Sequence, residues 1–209
     1  MRGLFITFEG GEGSGKTTQI QRLKVWIEKN YEEFSLCLTR EPGGTEDAES
    51  IRGLLLNGLV QKWQPATEAM LVSASRYEHV FHVIQPALQR GNIVICDRFI
   101  DSTIAYQVYG KKVNANFIEK IHSNILNGIK PNMTFLLKVT PSLSRKRLKK
   151  RKSKNRYDNF AQSFYTKAQK SFLKIAKNKK NYFILNSSFN NNELERKILK
   201  IVLKRLKIK

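Results

Sequence analysis

Gly10, Gly15, Lys16 and Thr17 stand at the spacing of a phosphate-binding loop: glycine, four residues, then Gly-Lys-Thr, within FEGGEGSGKTT. The chemistry explains the residue types. Gly10, Gly13 and Gly15 let successive backbone N–H groups turn toward one anion. A helix opening near Lys16 adds its positive end. The Lys16 ammonium reaches the outer phosphates, and the Thr17 hydroxyl is a ligand for Mg²⁺. Gly11, Glu12, Ser14 and Thr18 complete the segment expected to hold a nucleoside triphosphate. Glu12 is unusual among groups that attract anions. It is positioned either to bond a sugar hydroxyl of an acceptor or to touch the metal.

Two more charged loops follow apolar runs. Thr39-Arg40-Glu41-Pro42-Gly43-Gly44-Thr45 comes after the second, and Asp97-Arg98-Phe99 after the third. Arg40 and Arg98 suit an acceptor phosphate, because guanidinium matches phosphate geometry. Asp97 can orient Mg²⁺ through water or hold a neighbouring arginine. Phosphoryl transfer asks for this kind of positioning and charge neutralisation more than for covalent chemistry.

The elements that must carry these loops are legible as alternating patterns. Strand-like runs fall at 4–8, 36–39, 93–97, 133–139 and 182–185. Helical patterns fall at about 16–29 (with Ile20, Leu23, Val25 and Ile27 as its apolar positions), 46–56, 66–90, 102–108, 114–127, 142–151, 157–178 and 192–206. Alternation of this kind predicts an α/β fold with a parallel sheet covered on both faces. Ligands then sit beyond the carboxyl ends of the strands, where all three loops emerge. No repeat or linker divides residues 1–209, so one domain is expected. Residues 142–158 are the one insertion, and their arginines suit a lid that closes over phosphates.

Composition narrows the partners. The chain has 209 residues, 41% of them hydrophobic, and a net charge of +21. Residues 1–137 carry 15 Lys+Arg against 14 Asp+Glu, whereas residues 138–209 carry 23 against 3. The excess is thus confined to the C-terminal third, away from the phosphate loop. It reads as solvated helix faces plus a lid rather than a nucleic-acid surface. No apolar run approaches the roughly 20 residues of a membrane span. Without a secretory leader, and with only Cys37 and Cys96, a cytoplasmic protein with two buried, reduced thiols is expected.

From the first strand to the last helix, the chain resembles the bacterial thymidylate kinases. The resemblance rests on FEGGEGSGKTTQ, TREPGGT at 39–45, ASR at 74–76, DRF with Ser102-Thr103 at 97–103, and AYQ at 105–107. TREPGGT beside the loop separates this family from other nucleoside monophosphate kinases. It implies a three-layer P-loop fold with a five-stranded parallel sheet, a homodimer, and transfer from ATP with Mg²⁺ to thymidine monophosphate (dTMP).

It also implies residue roles. Gly10 to Thr17 hold the ATP phosphates, and Glu12 sits near the acceptor 3′ hydroxyl. Arg40 and Arg98 hold the acceptor phosphate. Arg76 hydrogen-bonds a thymine carbonyl. Tyr106 crowds the ribose 2′ position, and Ser102, Thr103 and Gln107 lie near the base. Pro42 and Leu55 complete the acceptor site. Asn186 to Ser188 lie near the adenine. Ser14, in place of a loop arginine, implies that the catalytic arginines come from the lid, with Arg151 and Arg156 as candidates beside Lys16, Asp97 and Arg98.

Two departures stand out. Val72 occupies the position where the family stacks a phenylalanine on thymine. Its loss weakens base binding by about 1 kcal/mol unless another side chain compensates. The lid reads Asn155-Arg156-Tyr157-Asp158, where the family favours an aspartate before the arginine and a glutamate soon after. A kinase for another base and a nucleic-acid-stimulated P-loop ATPase are the competing readings.

Overall fold

The computed structural model describes residues 3–150, 155–188 and 191–206. Five parallel strands form one sheet: β1 (Leu4–Glu9), β2 (Leu36–Arg40), β3 (Ile93–Asp97), β4 (Met133–Lys138) and β5 (Tyr182–Asn186), in the order β2-β3-β1-β4-β5. Each strand is short, and β1 and β3 are rich in β-branched or aromatic residues, as a pleated, buried surface favours. β1 is central, and the chain moves first to one side of it and then to the other. A crevice opens at that reversal, beyond the strand ends. Asp97 pairs in register with Phe8 on one side and with Arg40 on the other. The loops after β1, β2 and β3 therefore leave the sheet side by side.

Alternation along β1 decides which layer each residue joins. Ile6 and Phe8 face α1 (Lys16–Asn30) and α9 (Asn191–Leu206), packing on Ile20, Leu23, Ile27, Leu194 and Ile198. Phe5 faces the opposite layer, with Val80, Ile84, Val94 and Phe99. Thr7 and Glu9 share that second face, and the Thr7 hydroxyl meets Thr134 at 2.9 Å. Val25, expected among the apolar positions of α1, is instead exposed. It lies two residues from both Leu23 and Ile27, about 200° around the helix from each. Cys96 is buried and Cys37 only partly so; both are free thiols.

The long helix expected over 66–90 is interrupted. Helix α3 (Pro65–His79) runs into a π turn at Val80–Ile84 before α4 (Gln85–Gln89). Pro86 supplies the reason: its ring and missing N–H disrupt a regular turn, and the Gln85 N–H bonds Val80 O five residues back. A second π turn, Ile104–Gly110, continues the short α5 (Ile100–Thr103), and the Lys111 N–H reaches Tyr106 O.

Helices α2 (Glu46–Leu56), α6 (Ala115–Ile125), α7 (Pro141–Lys149) and α8 (Gln162–Ala176) complete the layers. Instead of one helix over 157–178, a 3₁₀ turn at Arg156–Asn159 precedes α8. Among the described residues, no helix is long and apolar enough to cross a membrane.

Candidate active site

One cleft of about 710 Å³ runs along the carboxyl ends of β1, β2 and β3. Its first wall is the loop between β1 and α1. Gly15 caps α1 at φ 84°, and Gly10 has φ 135°, conformations that side chains rarely adopt. A Cβ on Gly10 would stand 2.4 Å from the Leu137 carbonyl oxygen, so the loop lies directly on β4. Residues Glu12 to Thr18 line the cleft, with Gly10 and Gly11 at the loop's base. Lys16 Nζ donates to the carbonyl oxygens of Gly10 (3.2 Å) and Gly11 (3.3 Å). Burial, then the Arg98 charge, lowers the Lys16 pKa.

Thr17 Oγ1 donates to Asp97 Oδ2 at 2.9 Å. The other carboxylate oxygen of Asp97 is buried without a hydrogen-bond partner. A hydroxyl and an orphaned carboxylate oxygen are the hard donors that Mg²⁺ takes. These two residues therefore fit the metal.

Arg98 sits at the centre. It has φ 74°, a left-handed conformation that costs an arginine roughly 1–3 kcal/mol and persists only where the surroundings over-determine it. They do so here. Its N–H donates to Phe8 O at 2.9 Å, and Nη1 donates to Gly10 O (2.9 Å) and Ser102 Oγ (3.1 Å). Nη2 donates to Glu12 Oε1 at 2.6 Å, and the guanidinium lies 5.4 Å from the Tyr106 ring centre. Burial opposes the charge, but Glu12 and the other nearby acidic groups outweigh it and raise the Arg98 pKa.

Behind Arg98 lies Glu9, whose carboxylate accepts from the Phe99 N–H (2.8 Å) and from Ser102 Oγ (2.7 Å). Burial, reinforced by the Asp101 charge, raises the Glu9 pKa to about 8. Glu9 thus fixes the turn that carries Arg98.

Arg40 and Arg52 line the cleft beside Arg98. Arg40 Nη2 contacts both oxygens of Glu49, at 2.8 and 2.9 Å, and Arg52 Nη1 donates to Pro42 O at 2.6 Å. Arg52 was missed in the sequence. Its signal was present: it follows the Thr45 cap of α2, whose hydroxyl accepts from the Ala48 N–H, and so lies on the first turns of a helix facing the loop.

The far end is lined by Pro42, Val72, Arg76, Ser102, Thr103, Tyr106 and Gln107, all expected there. Arg76 is almost wholly buried and nearly saturated. Nε donates to Glu41 Oε2 (2.7 Å), and Nη2 donates to Phe99 O (3.1 Å) and Thr103 Oγ1 (2.9 Å). Nη1 meets His122 Nε2 at 2.8 Å. Burial and the Arg76 charge push His122 down to about 3, so its ring is neutral and accepts. His122 comes from α6 and carried no sequence signal. Beneath, Glu41 Oε1 contacts His79 Nδ1 at 3.1 Å.

Three expectations are corrected or fall elsewhere. Leu55 is fully buried in the core, and Leu56 lines the cleft instead. One residue turns a helix by about 100°, so a one-residue error in phase exchanges core and cleft. Arg156 does not face the phosphate loop. Its Nε donates to Leu55 O (2.8 Å), its Nη1 to Val60 O (3.2 Å), and its Nη2 pairs with Glu68, both side chains fully buried. Glu68 also binds Lys111 Nζ (2.7 Å) and Gln107 Nε2 (3.0 Å). Arg151 lies outside the described residues.

Among the described residues, the lid-side arginine that meets the loop is Arg147. On α7 it donates to Gly13 O (3.0 Å) and Ser187 O (2.9 Å), while Ser144 Oγ, one turn earlier, donates to Glu12 O at 2.7 Å.

The β2-β3-β1-β4-β5 sheet, with a phosphate loop after its central strand and Arg40, Arg52 and Arg98 gathered beside it, has the architecture of the P-loop nucleoside monophosphate kinases. The model of the thymidylate kinase family matches residues 8–198. Thymidylate kinase of Wolbachia sp. subsp. Brugia malayi is 47% identical over 176 residues, covering 84% of this chain and 82% of that protein. Thymidylate kinase of Wolbachia pipientis subsp. Culex pipiens is 42% identical, with 98% of each covered. The crystal structure of thymidylate kinase from Ehrlichia chaffeensis superposes with a TM-score of 0.79 at 32% identity, over 97% of this chain and 100% of that one. The chain belongs to the thymidylate kinase family.

Proposed function

We infer that this protein transfers the terminal phosphoryl group of ATP to dTMP, giving dTDP and ADP. The observation that carries this reading is the continuity of the cleft: the phosphate loop and the Arg76–Gln107 end are two ends of one space. An acceptor with its base between Val72, Arg76 and Gln107 lays its phosphate beside Arg40, Arg52 and Arg98. A donor on the loop points its outer phosphate at the same place. The two are held in line, which is most of what this reaction needs.

The acceptor phosphate oxygen attacks the γ-phosphorus as the bond to the ADP oxygen breaks. Lys16 and the loop N–H groups hold the phosphate charge on the donor side, and Arg98 holds the acceptor oxygens. Thr17 and Asp97 would hold Mg²⁺, which supplies charge neutralisation across the donor phosphates when bound. Glu12, clamped to Arg98, faces the acceptor sugar, and Tyr106 closes the ribose 2′ side. Arg147 bridges the loop to Ser187, on the side expected to face the adenine. Helix α7, whose Ser144 and Arg147 meet the loop, acts as the lid side of a single domain.

Two further elements belong to this reading. Met70, Tyr77 and Phe81 are exposed on one face of α3 and its π turn, and Phe117 is exposed on α6. Such an apolar face supports a homodimer. The free thiols of Cys37 and Cys96 suit a cytoplasmic location.

The test is Arg98→Ala with steady-state kinetics. The expected result is a fall of at least tenfold in kcat/KM for dTMP while the KM for ATP stays within about threefold. Equal loss toward both substrates would make Arg98 structural and refute its placement at the acceptor.

A further inference from the structure

Val72 leaves the base end of the cleft without the ring expected there, yet an aromatic side chain stands close by. It comes from a distant part of the chain. Tyr157 follows Arg156 in the 3₁₀ turn that precedes α8, inside the basic stretch read from sequence as a lid. It lines the same cleft as Val72, Arg76, Tyr106 and Gln107.

We propose that Tyr157 is a specificity-determining residue of the acceptor site, supplying the aromatic contact to the nucleobase that position 72 does not. The inference rests on the dTMP kinase reading above.

Its placement is held from several directions. The hydroxyl lies against Glu68; burial first, then that carboxylate, pushes its pKa up. Glu68 is one helical turn before Val72 on α3, so the two share a face of the helix. The anchor of the Tyr157 hydroxyl and Val72 thus lie on one face of α3, and the ring and Val72 line one cleft. The Tyr157 ring meets Tyr106 edge-on, with centroids 6.3 Å apart and planes at 69°. It stacks on Phe160 at 5.5 Å. The backbone is fixed as well: the Tyr157 N–H donates to Asn155 Oδ1 at 2.9 Å, and its carbonyl accepts from the Tyr165 hydroxyl. Arg156, buried on Glu68, sits 5.0 Å from the ring centre.

The consequence is chemical. A pyrimidine is a flat, polarised ring, and it gains from an aromatic neighbour at an edge or a face in a way that valine cannot supply. The ring matters here rather than the hydroxyl, which is engaged by Glu68. The contact strengthens ground-state binding of the acceptor and leaves the phosphoryl-transfer geometry alone, so it belongs in KM rather than kcat.

The experiment is steady-state kinetics on wild type, Tyr157→Phe, Tyr157→Ala, Val72→Phe and the double variant V72F/Y157A, with dTMP and ATP varied in turn. Y157A should raise KM for dTMP about five- to tenfold, with kcat within about twofold and KM for ATP unchanged. Y157F should stay close to wild type. V72F placed in Y157A should recover at least half of the lost affinity, an effect that a merely structural role for Tyr157 would not produce. If Y157A does not fold, Tyr157→Leu keeps the bulk without the ring and carries the same comparison. An unchanged KM for dTMP in Y157A or Y157L, or an equal rise for both substrates, overturns the proposal. Wild-type protein that does not phosphorylate dTMP at all would instead overturn the functional reading on which it stands.

Discussion

Thr17 Oγ1 donates to Asp97 Oδ2 across 2.9 Å, tying the first turn of α1 to the last residue of β3. The bond aligns the two oxygen donors that suit a divalent cation and leaves the second Asp97 oxygen buried without a partner. Asp97→Asn retains a carbonyl to accept from Thr17 but loses the negative charge. The expected outcome is a fall in kcat of at least a hundredfold, with a higher Mg²⁺ requirement. A magnesium titration of the initial rate checks it. Unchanged magnesium dependence would remove Asp97 from the metal site.

Arg147 and Arg156 should separate cleanly. Arg147→Ala cuts the bridge between Gly13 O and Ser187 O. It is expected to raise KM for ATP about five- to twentyfold while leaving the KM for dTMP within about twofold. Initial rates with each substrate varied in turn decide the matter, and a selective rise for dTMP would contradict the placement.

Arg156→Ala strands Glu68 as a buried carboxylate still facing Lys111. Removing one partner of a buried pair costs about 3–5 kcal/mol. Urea unfolding should show that loss, and the double variant E68Q/R156A should recover part of it. A stable R156A with kcat reduced a thousandfold would restore Arg156 to the catalytic role read from sequence.

His122 gives a pH signature. Burial and Arg76 lower its pKa from 6.5 to about 3. Between those values the unfolded chain binds the proton and the folded chain does not, so stability rises with pH across the window. The contribution is complete above pH 6.5 and lost as pH falls toward 3. His122→Gln keeps an acceptor for Arg76 and cannot titrate. Its unfolding free energy should therefore fall less steeply than wild type between pH 7 and 4. Equal slopes would contradict a neutral, accepting His122.

What was legible in the sequence was local. Gly10 to Thr17 define their loop by spacing alone, and Asp97 and Arg98 follow directly from a buried apolar run. Their shared location followed from the rule that ligands sit beyond the ends of parallel strands. What was not legible is long-range or a matter of phase. Glu68 and Arg156 are 88 positions apart, and Arg76 and His122 are 46 apart, so neither pair leaves a spacing signature. Leu55 and Leu56 differ only in rotation about α2. The π turn at Val80–Ile84 arises from one residue, Pro86, interrupting a helical pattern that otherwise reads as continuous. Tyr157 was hidden by its neighbours, because a tyrosine among lysines and arginines reads as part of a charged lid.

The identity of the acceptor decides the function. An assay that couples ADP release to turnover, with ATP, Mg²⁺ and a panel of dTMP, dUMP, UMP, CMP, AMP and GMP, tests it most directly. The expected result is a kcat/KM for dTMP at least tenfold above that for every other monophosphate. Preferential turnover of another monophosphate, or turnover stimulated only by DNA or RNA, would contradict it.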